Sequence, residues 1–384
     1  MSWVRRLRTG DLGPLPILLG LVLIAIIFQT LNPNFLTARN FVNLIVQMAG
    51  IATIAYGLVF VLLLGEIDLS VGYVSAVAGV GMTLLLGAGL PWWAAVAVAL
   101  AAAAAIGALQ GAIITVFRVP SFVVTLAGLL AWNGVVLLLV GSAGTIIIQD
   151  PAVIALASAF LPAWAGWLTV AAGVALLLGR RLRERAARRR HGLEVRSASG
   201  IWLEAALLAA GAGAAVAVAN QDRGVPFVGV VLLVLLIGLT WFADRTRFGR
   251  SVRAMGGSEE AARRAGIRTG RIRVAVFALG SAMAGLGGII LASRLRSVST
   301  DAGGGDLLLN SIAAAVIGGT SLFGGRGQVS SAVLGALVIA SVENGMGLLG
   351  LSSGVKFVVT GFVLLAAVLV DSVSRRQRSA AGVL

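Results

Sequence analysis

The chain of 384 residues has no cysteine, one histidine, one lysine and only 15 acidic residues. Each scarcity closes off a chemistry. Without cysteine there is no disulfide framework, thiol nucleophile or thiolate metal site. His191 sits in an arginine run, with no second histidine to share a metal. Lys356 lies outside any G-x-x-x-x-G-K-[ST] sequence, so that phosphate-binding loop is absent and any ATP is hydrolysed elsewhere. Charged residues make up 12% of the chain, about half the share usual in a soluble protein.

What is abundant is apolar. Hydrophobic residues account for 59% of the chain, and the mean hydropathy is +1.00. Runs of about 20 apolar residues, enough to cross a bilayer as helices, recur throughout. The expected fold is an all-α polytopic transmembrane bundle, its 51 glycines suiting close helix packing in lipid. About 12 spans are expected, near 15–31, 41–64, 71–90, 91–117, 121–140, 163–178, 201–218, 227–242, 274–291, 307–319, 329–347 and 357–370. The first follows Arg5, Arg6 and Arg8, is long for a signal peptide and lacks a small-residue cleavage site, so it reads as an uncleaved span.

The basic residues orient this bundle. With both termini cytoplasmic, 25 of the 30 basic residues fall inside, leaving Arg39, Arg223, Arg294, Arg296 and Lys356 outside; the reverse orientation would invert the usual bias. The same clustering between spans accounts for the net charge of +15 without nucleic acid as a partner. The chain reads as one domain, 1–384. It comprises N-terminal helices at 14–141, an inserted helix pair with an Arg-rich cytoplasmic hairpin at 150–220, a cytoplasmic loop at 244–273 and C-terminal helices at 274–371. Seven arginines crowd positions 180–190, a density that favours contact with anionic lipid. A faint repeat, Gly65–Gly72 against Gly318–Gly325, shares its terminal glycines and a central leucine (Leu69, Leu322), suggesting two related halves.

The longest polar stretch runs from Arg245 to Arg273. Within it, Ser258 can cap a helix by accepting free N–H groups of the first turn. Glu259 and Glu260 suit the positive end of that helix, and Gly266 can close it in the left-handed conformation. A helix of about two turns does not persist alone in water, so it needs support from the chain or a partner. Within or beside the spans lie Glu66, Asp68 and Ser70, then Gln47, Gln110, Thr125, Asn133, Asn310, Glu343 and Asn344. Acids at membrane depth face protein or a water path. Glu66 and Asp68 can bind a coupling ion, as in a secondary transporter, or cap and brace a broken helix; Asp68 can cap the third span. The amides and hydroxyls can bond a passing uncharged polyol or tie helix to helix. No ordered chain of acids and histidines marks a proton relay, and no acid ring marks a cation filter.

Four stretches resemble one family. Gly256-Gly257-Ser258-Glu259-Glu260-Ala261-Ala262-Arg263-Arg264-Ala265-Gly266-Ile267 is similar to the G-G-N-x-E-A-A-R-x-x-G-I signature of ribose/xylose-type sugar permeases of ABC importers. The segment at 32–40 resembles their N-x-x-F-L-T-x-x-N, and 65–72 their G-G-I-D-L-S-V-G, with Glu66 in place of the second glycine as in the xylose-like subgroup. The stretch 310–353 resembles A-I-A-A-V-x-G-G-T-S-x-x-G-G-x-G, with G-x-L-x-G-A and N-x-x-x-L-x-G after it. Together these touch spans two to five and eight to twelve. The insert at 150–220 has no ribose-type counterpart and points to the longer, xylose-like members.

The resemblance implies a permease subunit of a bacterial inner-membrane importer for a monosaccharide, xylose or a related pentose favoured. It implies no cofactor and no catalysis of its own. Its partners would be cytoplasmic ATPase subunits, an extracytoplasmic sugar-binding protein and a second permease copy, in membrane lipid. Gly256, Gly257, Ser258, Glu259, Glu260, Ala261, Ala262, Gly266 and Ile267 would couple to the ATPase. Glu66, Asp68, Ser70, Gln110, Thr125, Asn133, Asn310 and Asn344 would border the substrate path. The rival from another class is an ion- or proton-coupled transporter using Glu66 and Asp68.

Overall fold

The computed structural model describes residues 15–195, 197–363 and 365. Arg5, Arg6, Arg8, Arg196, Arg375, Arg376 and Arg378, and with them the expected cytoplasmic termini, lie outside the described residues. Helices α1 (Leu15–Leu31), α2 (Ala38–Leu63), α3 (Val71–Gly87), α4 (Trp92–Phe117) and α5 (Ser121–Val140) come first. Strand β1 (Thr145–Ile147) and the short α6 (Pro151–Ser158) lead into α7 (Ala163–Arg190), α8 (Ala198–Ala219) and α9 (Phe227–Arg245). Next come α10 (Arg247–Gly257), α11 (Glu259–Arg264), α12 (Thr269–Leu295), strand β2 (Ser297–Ser299), α13 (Leu307–Ile317), α14 (Val329–Leu348) and α15 (Ser353–Val363). Among the described residues, eight helices (α2, α4, α5, α7, α8, α9, α12, α14) are long and apolar enough to cross a membrane, while α1, α3, α13 and α15 are apolar but shorter. This is a helical membrane protein.

Two helices form the hub. Helix α2 is apolar on all sides, and every residue from Met48 to Leu63 is buried, the signature of a helix surrounded by others. Helix α12 packs against α2, α3 and α4. The contacts are backbone-close: a Cβ at Gly107 would collide with the Phe277 carbonyl, and one at Gly288 with Ser75 backbone atoms. Small residues at such crossings let dispersion and packing replace the hydrophobic drive that lipid does not supply. Toward the edge the pattern inverts. Helix α7 buries only Gly166, and Leu138, Leu207 and Trp241 stand exposed on α5, α8 and α9, as lipid-facing helices do.

The segments expected as outer loops are more ordered than the sequence suggested. Strands β1 and β2 pair antiparallel, Thr145 opposite Ser299, joining the ends of α5 and α12. Helix α6 is capped by Asp150, which accepts from the N–H groups of Ala152 and Val153. It is pinned to α12 by Ser293, whose Oγ accepts from Ala157 N–H at 3.0 Å and donates to the Val153 carbonyl at 2.6 Å.

Two boundaries and the faint repeat depart from expectation. Helix α7 runs on to Arg190 rather than ending near 178, because its arginines and alanines are good helix formers that carry it past Gly179 to Gly192, at φ +64°. Its 28 residues extend about 42 Å at 1.5 Å per residue, more than the bilayer's apolar depth. Helix α12 begins at Thr269, so Arg273 is helical rather than part of a loop. The aligned glycines of the faint repeat do not share a conformation: Gly65 lies at φ +77° and Gly325 at +73°, whereas Gly318 is right-handed and Gly72 is inside α3.

Candidate functional site

The polar stretch after α9 folds as two consecutive helices. Thr246 caps α10, its Oγ1 accepting from Gly249 N–H at 3.2 Å, and Gly249 abuts the Ala243 carbonyl so closely that a Cβ would collide. The buried face of α10 is Gly249, Val252 and Met255, with Phe248 stacked on Phe242 at 5.0 Å. Arg253 pairs with Asp244. Helix α10 is an addition to the elements expected from sequence, although Thr246 and the spacing of Phe248, Val252 and Met255 are signals that mark it.

Helix α11 follows the expected chemistry. Ser258 Oγ accepts from Ala261 N–H at 3.2 Å. Gly266, at φ +82°, ends the helix, with Gly266 N–H bonding to the Arg263 carbonyl and Ile267 N–H to that of Ala262, the paired pattern of a Schellman close. Glu260 pairs with Arg263 and Arg264, and the hydrogen bond from Arg263 holds its carboxyl below the usual range. Only Ala262 is buried; Gly257, Ser258, Glu259, Glu260, Ala261 and Gly266 are exposed, and Gly256 and Ile267 are intermediate. The helix therefore rests on one small residue and presents the rest outward.

Beneath it, three glycine turns meet. Helix α2 ends in another Schellman close: Gly65, left-handed, and Glu66 bond back to the Leu62 and Val61 carbonyls. The Leu63 carbonyl that this leaves over accepts from Gly325 N–H at 2.9 Å. Gly256 presses on the same spot, where a Cβ would run into Leu63 O and Gly325 N. The end of α10 thus lies directly on the turn after α2 and on the turn between α13 and α14.

Charge reinforces the junction. Arg273 Nε donates to Glu66 at 2.8 Å and its terminal nitrogen to Glu259, also at 2.8 Å. The Arg273 and Glu66 side chains are 15% and 17% exposed, that of Glu259 45%. One guanidinium therefore links the first residue of α11 to the break between α2 and α3. Nothing local marks this pairing in the chain, where Arg273 is the last of three closely spaced arginines, Arg268, Arg271 and Arg273, before an apolar run.

The break itself is buried. Asp68 Oδ1 accepts from Ser70 N–H at 2.9 Å and Ser70 Oγ at 2.6 Å; Ser70 rather than Asp68 is the N-cap of α3, and no side chain caps its first turn, so Asp68 braces the turn before the helix instead of capping it as expected. Ser70 Oγ lies 3.1 Å from the Gln110 amide on α4. From α5, Ser121 Oγ accepts from Ile67 N–H, and Thr125 Oγ1 contacts the Ile67 carbonyl, both at 3.2 Å. Asp68 Oδ2 and Gln110 Nε2 are buried with no partner among the described residues, so the break retains unused hydrogen-bond capacity.

The remaining polar residues lie elsewhere. Asn344 on α14 accepts from Asn40 at 2.8 Å and donates to Gln47 at 3.1 Å, both on α2. Asn310 on α13 bonds Glu343 on α14. These are helix-to-helix ties. Asn133 is half-buried on α5.

These features make a helical membrane protein with a polar helix pair clamped to the break between α2 and α3. The comparisons agree. The family described as branched-chain amino acid transport system / permease component matches residues 40–368. The chain is 37% identical to the xylose transport system permease protein XylH of Escherichia coli over 97% of its length and 94% of the relative's. It is 34% identical to the protein of that name in Haemophilus influenzae, over 97% and 99%. It is 33% identical to the ribose import permease protein RbsC of Escherichia coli, over 92% and 91%. No solved structure matches. The chain belongs to this permease family: it is the ribose/xylose-type permease subunit of an ABC sugar importer, a multi-pass protein of the bacterial inner membrane. It is not itself an enzyme; it works with a separate ATPase and a binding protein.

Proposed function

We propose that the cargo is xylose or a related pentose, and that two copies of the chain form the path above two ATPase subunits. XylH proteins among the relatives, 37% and 34% identical against 33% for RbsC of Escherichia coli, support the sugar. All twelve apolar helices cross the membrane with both termini cytoplasmic, which puts α10 and α11 inside. The exposed face of α11 seats in a groove of the ATPase. When ATP draws the ATPases together, α11 moves with them.

The observation that carries this reading is Arg273, bonded to Glu259 on α11 and to Glu66 at the break. Movement of α11 pulls on the turn at 65–70, and the Gly256 contact with Leu63 and Gly325 carries it to α2 and the α13–α14 turn together. The turn is held by Asp68, Ser70, Gln110, Ser121 and Thr125. When it opens, Asp68 Oδ2 and Gln110 Nε2 are free to bond sugar hydroxyls, with Asn133 on α5 a further contact. Asn310 and Asn344, committed between helices, brace the path.

The sugar is tested in vesicles holding the permease, its ATPase and its binding protein. Labelled xylose should accumulate with ATP, and unlabelled ribose should compete poorly. Accumulation of a hexose, with neither xylose nor another pentose carried, would refute the pentose assignment.

A further inference from the structure

Between the inner ends of α7 and α8 lies a cavity of about 200 Å³ lined by Arg181, Glu184, Arg185, Arg188 and Ile201. We propose that it binds the phosphate of an anionic phospholipid headgroup. Its charge is unbalanced. Arg181 bonds Glu204 at 2.5 Å and approaches Glu184 at 3.6 Å, and Glu184 also takes Arg180 at 3.2 Å and Arg245 at 3.0 Å. Two carboxylates are therefore shared among three guanidiniums. Arg185 and Arg188 have no carboxylate within 4.0 Å among the described residues, and Arg188 reaches only the Glu194 carbonyl, at 3.2 Å. Arg181 Nε is buried without a partner.

Guanidinium forks suit phosphate oxygens, and buried donors without an acceptor favour an anion that supplies one. A free phosphate would satisfy the charge alone. The surroundings favour a lipid: on α8, next to Ile201, Trp202, Leu203 and Leu207 are 58%, 61% and 66% exposed. They continue from the cavity along the apolar length of the helix, a surface for acyl chains, with Trp202 at the depth where indole prefers the interface. The inner leaflet follows from the orientation proposed above; the binding chemistry does not depend on it.

The test is native mass spectrometry of the purified full chain, titrated with phosphatidylglycerol, phosphatidylcholine or inorganic phosphate. Phosphatidylglycerol should be retained in preference to phosphatidylcholine. Arg185→Gln with Arg188→Gln should lower that retention by about thirtyfold, as loss of two basic contacts of about 1 kcal/mol each implies. Arg189→Gln with Arg190→Gln removes the same charge outside the cavity lining and should leave retention nearly unchanged. Equal losses in both variants would show diffuse attraction and overturn the site. Displacement of the lipid by inorganic phosphate would show that the tails contribute nothing and overturn the lipid assignment. Should the first variant fail to insert, equal retention of the two lipids by the wild-type chain would still refute the proposal.

Discussion

Asp68 is wholly buried and uses one carboxylate oxygen to hold the start of α3. Its role as a brace and its role as an ion site predict different behaviour on amidation. Asp68→Asn keeps an oxygen for Ser70 and removes only the charge, so uptake should fall by a few fold at most, with its dependence on external pH unchanged. An imposed proton or sodium gradient that drives uptake in the parent without ATP, and fails to do so in the variant, would instead make Asp68 a coupling-ion ligand. Asp68→Ala should be worse, since it leaves the buried Ser70 N–H and Oγ without their acceptor, at about 1–3 kcal/mol. These residues were legible as a group from their rarity in an apolar chain. Their partners were not, because Arg273, Ser121 and Gln110 come from distant parts of the chain: 54 positions separate Ile67 from Ser121, and 207 separate Glu66 from Arg273.

Helix α11 has too few residues to stand alone, and its order rests on its two ends. Ala at position 266 would have to adopt a left-handed backbone, at roughly 1–2 kcal/mol, and Gln at 260 would lose the pairs with Arg263 and Arg264. Glu260→Gln with Gly266→Ala should abolish uptake and weaken co-purification of the ATPase, while membrane insertion stays normal. Uptake at the parent level would contradict the docking role. The caps of α11 could be read directly because they are local: a serine, two acids and a glycine at the right spacing. Helix α10 was concealed by its arginines, which give the segment the composition of a loop although its apolar residues keep helical spacing. Strands β1 and β2 were invisible for the opposite reason: three residues each, paired between Thr145–Ile147 and Ser297–Ser299 across a long stretch of chain.

Across the molecule, buried hub helices and lipid-facing outer ones divide the chain as hydropathy implied, but the insert is bounded differently. Helix α6 is held to α12 by Ser293, so it belongs with the hub, and the peripheral part is α7 and α8. Leu161 N–H bonds the Val225 carbonyl at 2.8 Å and Phe227 N–H the Ala159 carbonyl at 2.9 Å, so the two ends of that pair already meet. Excising 162–224 and closing the gap with a short turn should leave a protein that inserts, binds its ATPase and imports sugar at reduced abundance. A stable deletion that assembles but transports nothing would place α7 and α8 in the path. Which helices pack together could not be read from apolar runs, because lipid and protein make the same demand on a side chain; the glycines at close crossings carried that information only once their partners were known.

Arg273 joins α11 to the break between α2 and α3, and changing it separates the proposed docking from the proposed transmission. In vesicles holding Arg273→Gln permease, ATPase and binding protein, ATP hydrolysis and sugar uptake are measured together. With the link from α11 to the break removed, uptake per ATP hydrolysed should drop by about tenfold or more, a coupling of ~1.4 kcal/mol, while the ATPase stays bound and active. Uptake per ATP equal to the parent's would contradict transmission through Arg273.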